Sequence, residues 1–94
     1  MTTLLREMGL DRAEFLRLLP AAVGHDRYTV SGDAIQIEDP AGTIRIRLHP
    51  TRTRQIAGLS LPLTPVEFHF GPLPKGERQR FLEHFDRHYQ RGGG

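Results

Sequence analysis

The apolar residues follow a helical period at both ends of the chain and an alternating period through its middle. Near the N-terminus, their spacing predicts a short helical turn over residues 2–8, which Gly9 ends. A second helix is expected to begin at Asp11, whose carboxylate suits an N-cap, with Glu14 three residues on as in a capping box. Pro20 is expected to end this helix.

From Tyr28 onward, apolar and polar residues alternate, which predicts strands with one buried and one open face. Turns interrupt the alternation at residues 31–33 and at residues 39–42, where Asp, Pro and Gly occupy the positions that a type I turn favours. The strand that begins at Thr43 alternates strictly until the His-Pro-Thr break at residues 49–51.

Two further strands are predicted after this break. The first lies within residues 52–63, where Gly58 is a candidate bulge. Pro62 and Pro65 favour a sheet edge or an interruption here, because proline cannot donate to a strand ladder. The second strand is predicted at residues 66–70, with Val and Phe facing inward and Glu and His facing outward.

A final helix is predicted from about Lys75 to Arg91. Its apolar stripe consists of Phe81, Leu82, Phe85 and Tyr89. The element order predicts an α+β two-layer sandwich, in which an antiparallel meander of four or five strands carries an N-terminal and a C-terminal helix on one face. We expect a single domain over residues 1–91 and a disordered glycine tail at residues 92–94.

Composition narrows the classes of function. The chain has 94 residues, enough for one modest core. It has no cysteine, which excludes disulfide frameworks, thiolate nucleophiles and Cys-ligated metal sites. Its formal net charge of +2 is too low to indicate a nucleic-acid-binding protein by itself. The N-terminus lacks signal-peptide features and no apolar run reaches the length of a membrane span, so we expect a soluble cytoplasmic protein.

The most unusual segment carries four arginines and no acid between positions 43 and 54. Arg45 and Arg47 share one face of a strand, about 7 Å apart, and Arg52 and Arg54 repeat the spacing on the next strand. If these two strands pair, all four guanidinium groups lie together on the open sheet face. Such a face suits an anionic partner.

Three interpretations of this face stay open. The arginines can form a merely solvated surface, neutralised by cross-strand neighbours such as Glu38 or Glu67. They can instead recognise an acidic protein, which is the partner we favour. Nucleic acid or another phosphate-bearing ligand is the third alternative, although the aromatic stacking positions of single-strand binders are missing.

His84 and His88 offer a second candidate site. They are four residues apart, so both imidazoles can reach one metal ion from one face of the last helix. A zinc or other transition-metal site needs a third ligand, for which His69, Glu83 and Asp86 are candidates. The alternative is that both histidines border the apolar stripe and bind nothing.

No set of residues predicts an enzyme. Ser31 lies in a turn and Ser60 in a leucine-rich strand, so neither is a credible nucleophile. Gly71 and Gly76 have the spacing of a phosphate loop, but the Lys and Ser/Thr that should follow the second glycine are absent. We therefore expect a non-catalytic binding or accessory module that needs no cofactor, and that is a monomer or a weak dimer.

Overall fold

The structure, a computed structural model, describes residues 3–91, with side chains described up to Tyr89. Two helices and six antiparallel strands form an α+β domain, which confirms the predicted class. The predicted tail at residues 92–94 lies outside the described residues. The elements are β1 Thr3–Met8, α1 Arg12–Val23, β2 Tyr28–Ser31, β3 Ala34–Asp39, β4 Gly42–Leu48, β5 Arg52–Ile56, β6 Leu59–His69 and α2 Lys75–Arg91.

The sheet has the strand order β1-β6-β4-β3-β2, and β5 pairs only with β6. The hairpins β2–β3 and β3–β4 were expected, and each turns through two residues. The first strand, however, joins the sheet beside the last one, so the topology is not a simple meander. Neither helix within the described chain has the length and apolar character that crossing a membrane requires.

The helical turn predicted for residues 2–8 is wrong, since Thr3–Met8 is a strand. Leu4 lies opposite Phe68, and Met8 lies opposite Thr64. Residues four apart share a face in a strand as well as in a helix, so the spacing of Leu4 and Met8 fits both structures. Pairing along the whole edge of β6 decides between them, because tertiary context overrides local propensity.

Helix α1 begins as the sequence predicts and ends later. The Asp11 carboxylate accepts a hydrogen bond of 2.8 Å from the backbone N–H of Glu14. The helix then continues through Pro20 to Val23, so the prediction that Pro20 ends it is wrong. Its last turn buries two more apolar side chains against the sheet, and Gly24, at φ 83, caps it in the left-handed conformation.

Both helices cover the same face of the sheet. Phe85 of α2 packs edge-to-face on Phe68 of β6 at 5.3 Å and joins helix to sheet, and Tyr89 of α2 stacks on Phe15 of α1 at 5.0 Å and joins the two helices. The core is therefore continuous from sheet to helices. Its buried apolar side chains are Leu10, Phe15, Leu19, Ala22, Val23, Ile35, Ile37, Ile44, Ile46, Leu48, Val66, Phe68, Phe70, Leu73, Phe85 and Tyr89.

Strand β6 is eleven residues long, and its two halves have different neighbouring strands. Its second half lies between β1 and β4, whereas its first half pairs only with β5. Every residue of β5 is exposed. Residues 52–63 therefore form a two-stranded extension, which we call the hairpin arm, and the molecule is elongated, with extents of 44 × 24 × 24 Å.

The hairpin arm turns at Ala57 and Gly58, which both have positive φ, 49° and 83°. Two central residues with positive φ define a type I′ turn, the form that matches the twist of paired strands. Gly58 thus lies in the turn and not in a bulge. Of the two outcomes predicted for Pro62 and Pro65, the interruption is absent, since β6 runs unbroken through both prolines, whereas the sheet edge is present at Pro62, where β6 pairs with β5 alone.

Candidate functional site

The sheet face opposite the helices, here called the open face, carries all four arginines of the segment singled out above. On β4, Arg45 lies opposite His69 and Arg47 lies opposite Glu67, and both arginines are exposed. Arg52 and Arg54 lie on β5, opposite the odd-numbered leucines of the arm, and they are exposed as well. We call these four residues the basic stripe.

The two halves of the stripe do not come from paired strands, so that part of the prediction is wrong. Strands β4 and β5 lie end to end along β6. Leu48 is opposite Val66 and Arg52 is opposite Leu63. The three residues 49–51 therefore face only two residues of β6, residues 64–65. One extra residue is the defining feature of a β-bulge.

This bulge explains why arginines at odd and at even positions share a face. Side chains alternate along a strand, so without the extra residue Arg52 would point to the same side as the buried Leu48. The extra residue restores Arg52 and Arg54 to the open face. Pro50, which has no N–H to donate, suits a position where the ladder is interrupted.

The basic stripe is long rather than clustered. Because Arg45 lies opposite His69 and Arg54 lies opposite Leu61, the stripe is about 26 Å long. Each pair within it is separated by about 7 Å. Such a row suits an extended anionic surface better than a single small ion.

Most of the stripe's charge is not neutralised within the protein. Arg52 forms an ion pair with Glu7 at 3.0 Å, and both side chains are more than half exposed (62% and 56%). Exposed pairs of this kind are weak and are easily exchanged for another partner. Within the side chains that the structure describes, Arg45, Arg47 and Arg54 take part in no ion pair.

Glu67, opposite Arg47, is the acid best placed to neutralise the stripe, but its carboxylate is engaged elsewhere. It accepts a hydrogen bond of 3.0 Å from Nε2 of His49 and a second one from Nε2 of His69. These hydrogen bonds lower the pKa of Glu67 below its ordinary value of 4.5. Glu67 and His69 were expected to face outward together on one strand, whereas His49 comes beside them only through the pairing of β4 with β6, which the sequence does not indicate.

Glu38, the other predicted neutralising acid, does not contact an arginine either. Its carboxylate accepts hydrogen bonds from the amide of Gln36 at 2.9 Å and from the hydroxyl of Thr43 at 3.2 Å. Both expected sources of neutralisation are therefore directed to other groups, which weakens the interpretation of the arginines as an internally compensated surface.

A shallow concavity of about 340 Å³ lies beside Arg45 and Arg47 on the open face. It arises where small side chains of β2 and β3 adjoin the longer ones of β4. The remaining open-face side chains that line it are Thr29, Ser31, Ala34, Gln36 and His69. Two guanidinium groups with hydroxyl and amide donors nearby are able to hold a carboxylate or a phosphate at this end of the stripe.

Among residues 3–89, the open face carries no Phe, Tyr or Trp on which a nucleic-acid base can stack. Phe68 of β6 and Phe70, which follows the strand, point into the core, and the phenylalanines of α1 and α2 lie on the helical side. Tyr28 lies opposite the buried Ile37 and so faces the same way. This arrangement agrees with the sequence pattern and disfavours single-stranded nucleic acid as the ligand.

The second candidate site, His84 and His88, lies on α2 with ring centroids 4.6 Å apart. Nε2 of His84 is 3.2 Å from a carbonyl oxygen of α1, and Nδ1 of His88 is 2.9 Å from the carbonyl oxygen of His84. Asp86 pairs instead with Arg6, and His69 lies on the other side of the sheet. The described side chains contain no group of three potential metal ligands, so the metal site stays a prediction without a third ligand.

Comparison with known proteins adds no assignment to this geometry. The chain matches no protein-family model and no curated protein.

Proposed function

We propose that the protein is a small, non-catalytic binding module that recognises an acidic segment of another protein through the basic stripe. The observation that carries the proposal is the bulge between β4 and β5, which aligns four arginines on one exposed face. Three of them have no ion-pair partner within the described side chains. Exposed guanidinium groups in a row supply charge-assisted hydrogen bonds to carboxylates.

An acidic protein is favoured over nucleic acid for two reasons. Within residues 3–89 the open face has no Phe, Tyr or Trp on which a base can stack, and its imidazoles, His49 and His69, are hydrogen-bonded to Glu67. The net charge of the whole chain is only +2, whereas binding of a phosphate backbone rests on a larger excess of positive charge. A local row of arginines is sufficient for a short acidic segment.

The test uses a fluorescently labelled polyglutamate peptide, with binding followed by polarisation at low and at near-physiological salt. The double charge reversal R45E/R47E is expected to weaken binding at least tenfold, because it removes two attractive contacts and adds two repulsive ones. Salt is expected to weaken the binding of the wild-type protein as well.

The matched control is R80E/R87E, which changes the net charge by the same amount. Both arginines are exposed on α2, on the other layer of the domain. Equal loss of binding in the two double variants would mean that only net charge matters, and this would contradict the proposal. Binding of a mixed single-stranded oligonucleotide in preference to polyglutamate would assign the stripe to nucleic acid instead.

A further inference from the structure

Large exposed apolar side chains are concentrated on the same open face. Leu5 and Leu59 are each 63% exposed, and Ile56 and Leu61 are each 44% exposed. All four point to the open face, as their strand partners show. Together with the half-buried Leu63 they form a row, which we call the apolar stripe.

The apolar stripe runs directly beside the basic stripe. In the arm, Arg54 is opposite Leu61 and Arg52 is opposite Leu63. In the main sheet, Glu67 lies between Arg47 on one side and Leu5 on the other. In the arm, the leucines of β6 therefore lie beside the arginines of β5, whereas toward the main sheet Pro65 and Glu67 separate these leucines from Leu5.

Nothing within the described chain covers the apolar stripe in the hairpin arm. The helices pack on the main sheet, while β5 and the first four residues of β6 are exposed throughout. Several large apolar side chains exposed on one face are uncommon on a protein that acts alone, and they mark an interaction surface. The position of these side chains next to Arg52 and Arg54 indicates the chemistry of the partner surface.

We infer that the partner segment is an acidic amphipathic helix, with its apolar side on the apolar stripe and its carboxylates over the basic stripe. This inference rests on the proposed function and narrows it. The apolar stripe extends from Leu59 to Leu5, which lies opposite Glu67, so it is about 26 Å long. A helix of about 17 residues has the same length.

A uniformly acidic segment is not complementary to this surface, because it leaves the leucines exposed to water. A second copy of the chain satisfies the apolar stripe but brings another four arginines toward the first four. Glu7, Glu38 and Glu67 on the open face offset this only in part, because they are three acids against four arginines. Charge complementarity therefore favours an acidic partner over self-association.

The experiment compares three labelled peptides of about 18 residues, the length that spans the face as a helix. The first is designed with leucines on one helical side and glutamates on the adjacent side. The second has the same composition, with the leucines redistributed so that they share no side. The third is polyglutamate. We expect the amphipathic peptide to bind the wild-type protein at least tenfold more tightly than the other two.

The variant L59S/L61S is expected to abolish this preference while leaving polyglutamate binding unchanged. Both side chains are exposed, so the variant is expected to fold, as circular dichroism can verify. The matched control is V30S, because Val30 is the remaining large exposed apolar residue and lies opposite Ile35, on the other side of the sheet from the stripe. V30S should keep the preference for the amphipathic peptide.

The outcomes separate the two proposals. Equal affinity for all three peptides, reduced by R45E/R47E but not by L59S/L61S, overturns the amphipathic partner and leaves the proposed function intact. No binding of any peptide overturns both. A concentration-dependent dimer in sedimentation, lost in L59S/L61S, assigns the apolar stripe to a second copy of the chain and overturns the inference.

Discussion

Arg47 lies directly opposite Glu67 across β4 and β6, yet the Glu67 carboxylate is held by His49 and His69. A cross-strand Arg–Glu pair ordinarily cancels its own charge. Here the histidines take up the hydrogen-bonding capacity of the carboxylate, and Arg47 keeps an exposed guanidinium. The hydrogen bonds of Glu67 to the two histidines thus leave the open face more cationic than a direct Arg47–Glu67 pair would.

The pKa of Glu67 is expected to rise toward 4.5 when its histidine partners are removed, because their hydrogen bonds lower it. The pKa is measured by following the Glu67 carboxyl carbon by NMR during an acid titration. The double variant H49N/H69N should show the higher value. Since the pKa is lowered in the folded protein, the stability that Glu67 contributes is present above its ordinary value and is lost as the pH falls through the lowered one.

An unaltered Glu67 pKa in H49N/H69N would show that the histidine contacts do not set it.

Periodicity was sufficient to predict the fold class, the turns at residues 31–33 and 39–42, and helix α2 from Lys75 to Arg91. It was not sufficient at the N-terminus, because the spacing of Leu4 and Met8 fits a strand and a helix equally. It also missed the last turn of α1, where burial of Ala22 and Val23 outweighs the hydrogen bond that proline lacks.

For the candidate site, the sequence predicts which arginines matter but not how they come together. Arg45 and Arg54 differ in parity, so a regular strand would send them to opposite faces. Only the register of both strands against β6 reveals the extra residue that aligns them. The apolar stripe was missed for a related reason, because alternating leucines in residues 59–63 resemble a buried strand until the arm is seen to lie beyond the helices.

Gly24 and Gly58 have the same φ of 83° but different surroundings. A Cβ at Gly58 meets nothing within 4 Å, whereas a Cβ at Gly24 lies 3.1 Å from Nε2 of His84. Gly58→Ala is therefore expected to cost only the conformational strain, about 1 kcal/mol. Gly24→Ala should cost about 2 kcal/mol, because it adds displacement of the His84 ring. Urea unfolding followed by circular dichroism measures both free energies.

The double variant G24A/H84A tests the cause of the difference. Removing the imidazole of His84 should recover the part of the lost unfolding free energy that arises from the contact and leave the part that arises from the positive φ. Equal costs for Gly24→Ala and Gly58→Ala, or no recovery in the double variant, would exclude the His84 contact as the source.

Tyr89 anchors α2 to α1 through its hydroxyl, which donates a hydrogen bond of 2.7 Å to the carbonyl oxygen of Phe15. Burial, and next the charge of Tyr28, raise the pKa of Tyr89 well above its ordinary value of 10.0. Near pH 8, Tyr89→Phe is expected to lower the free energy of unfolding by about 1 kcal/mol, because the buried hydrogen bond is lost. Urea unfolding checks this value.

The difference in unfolding free energy between the wild type and Tyr89→Phe is expected to depend on pH. A raised pKa in the folded state means that the contribution of Tyr89 is fully present below pH 10.0 and is lost as the pH rises beyond it, since the unfolded chain then ionises more readily. Wild-type stability should therefore approach that of Tyr89→Phe near pH 11, with Tyr28→Phe as the control for the other tyrosine. A difference between wild type and Tyr89→Phe that stays constant from pH 8 to pH 11 would contradict the burial of this hydroxyl.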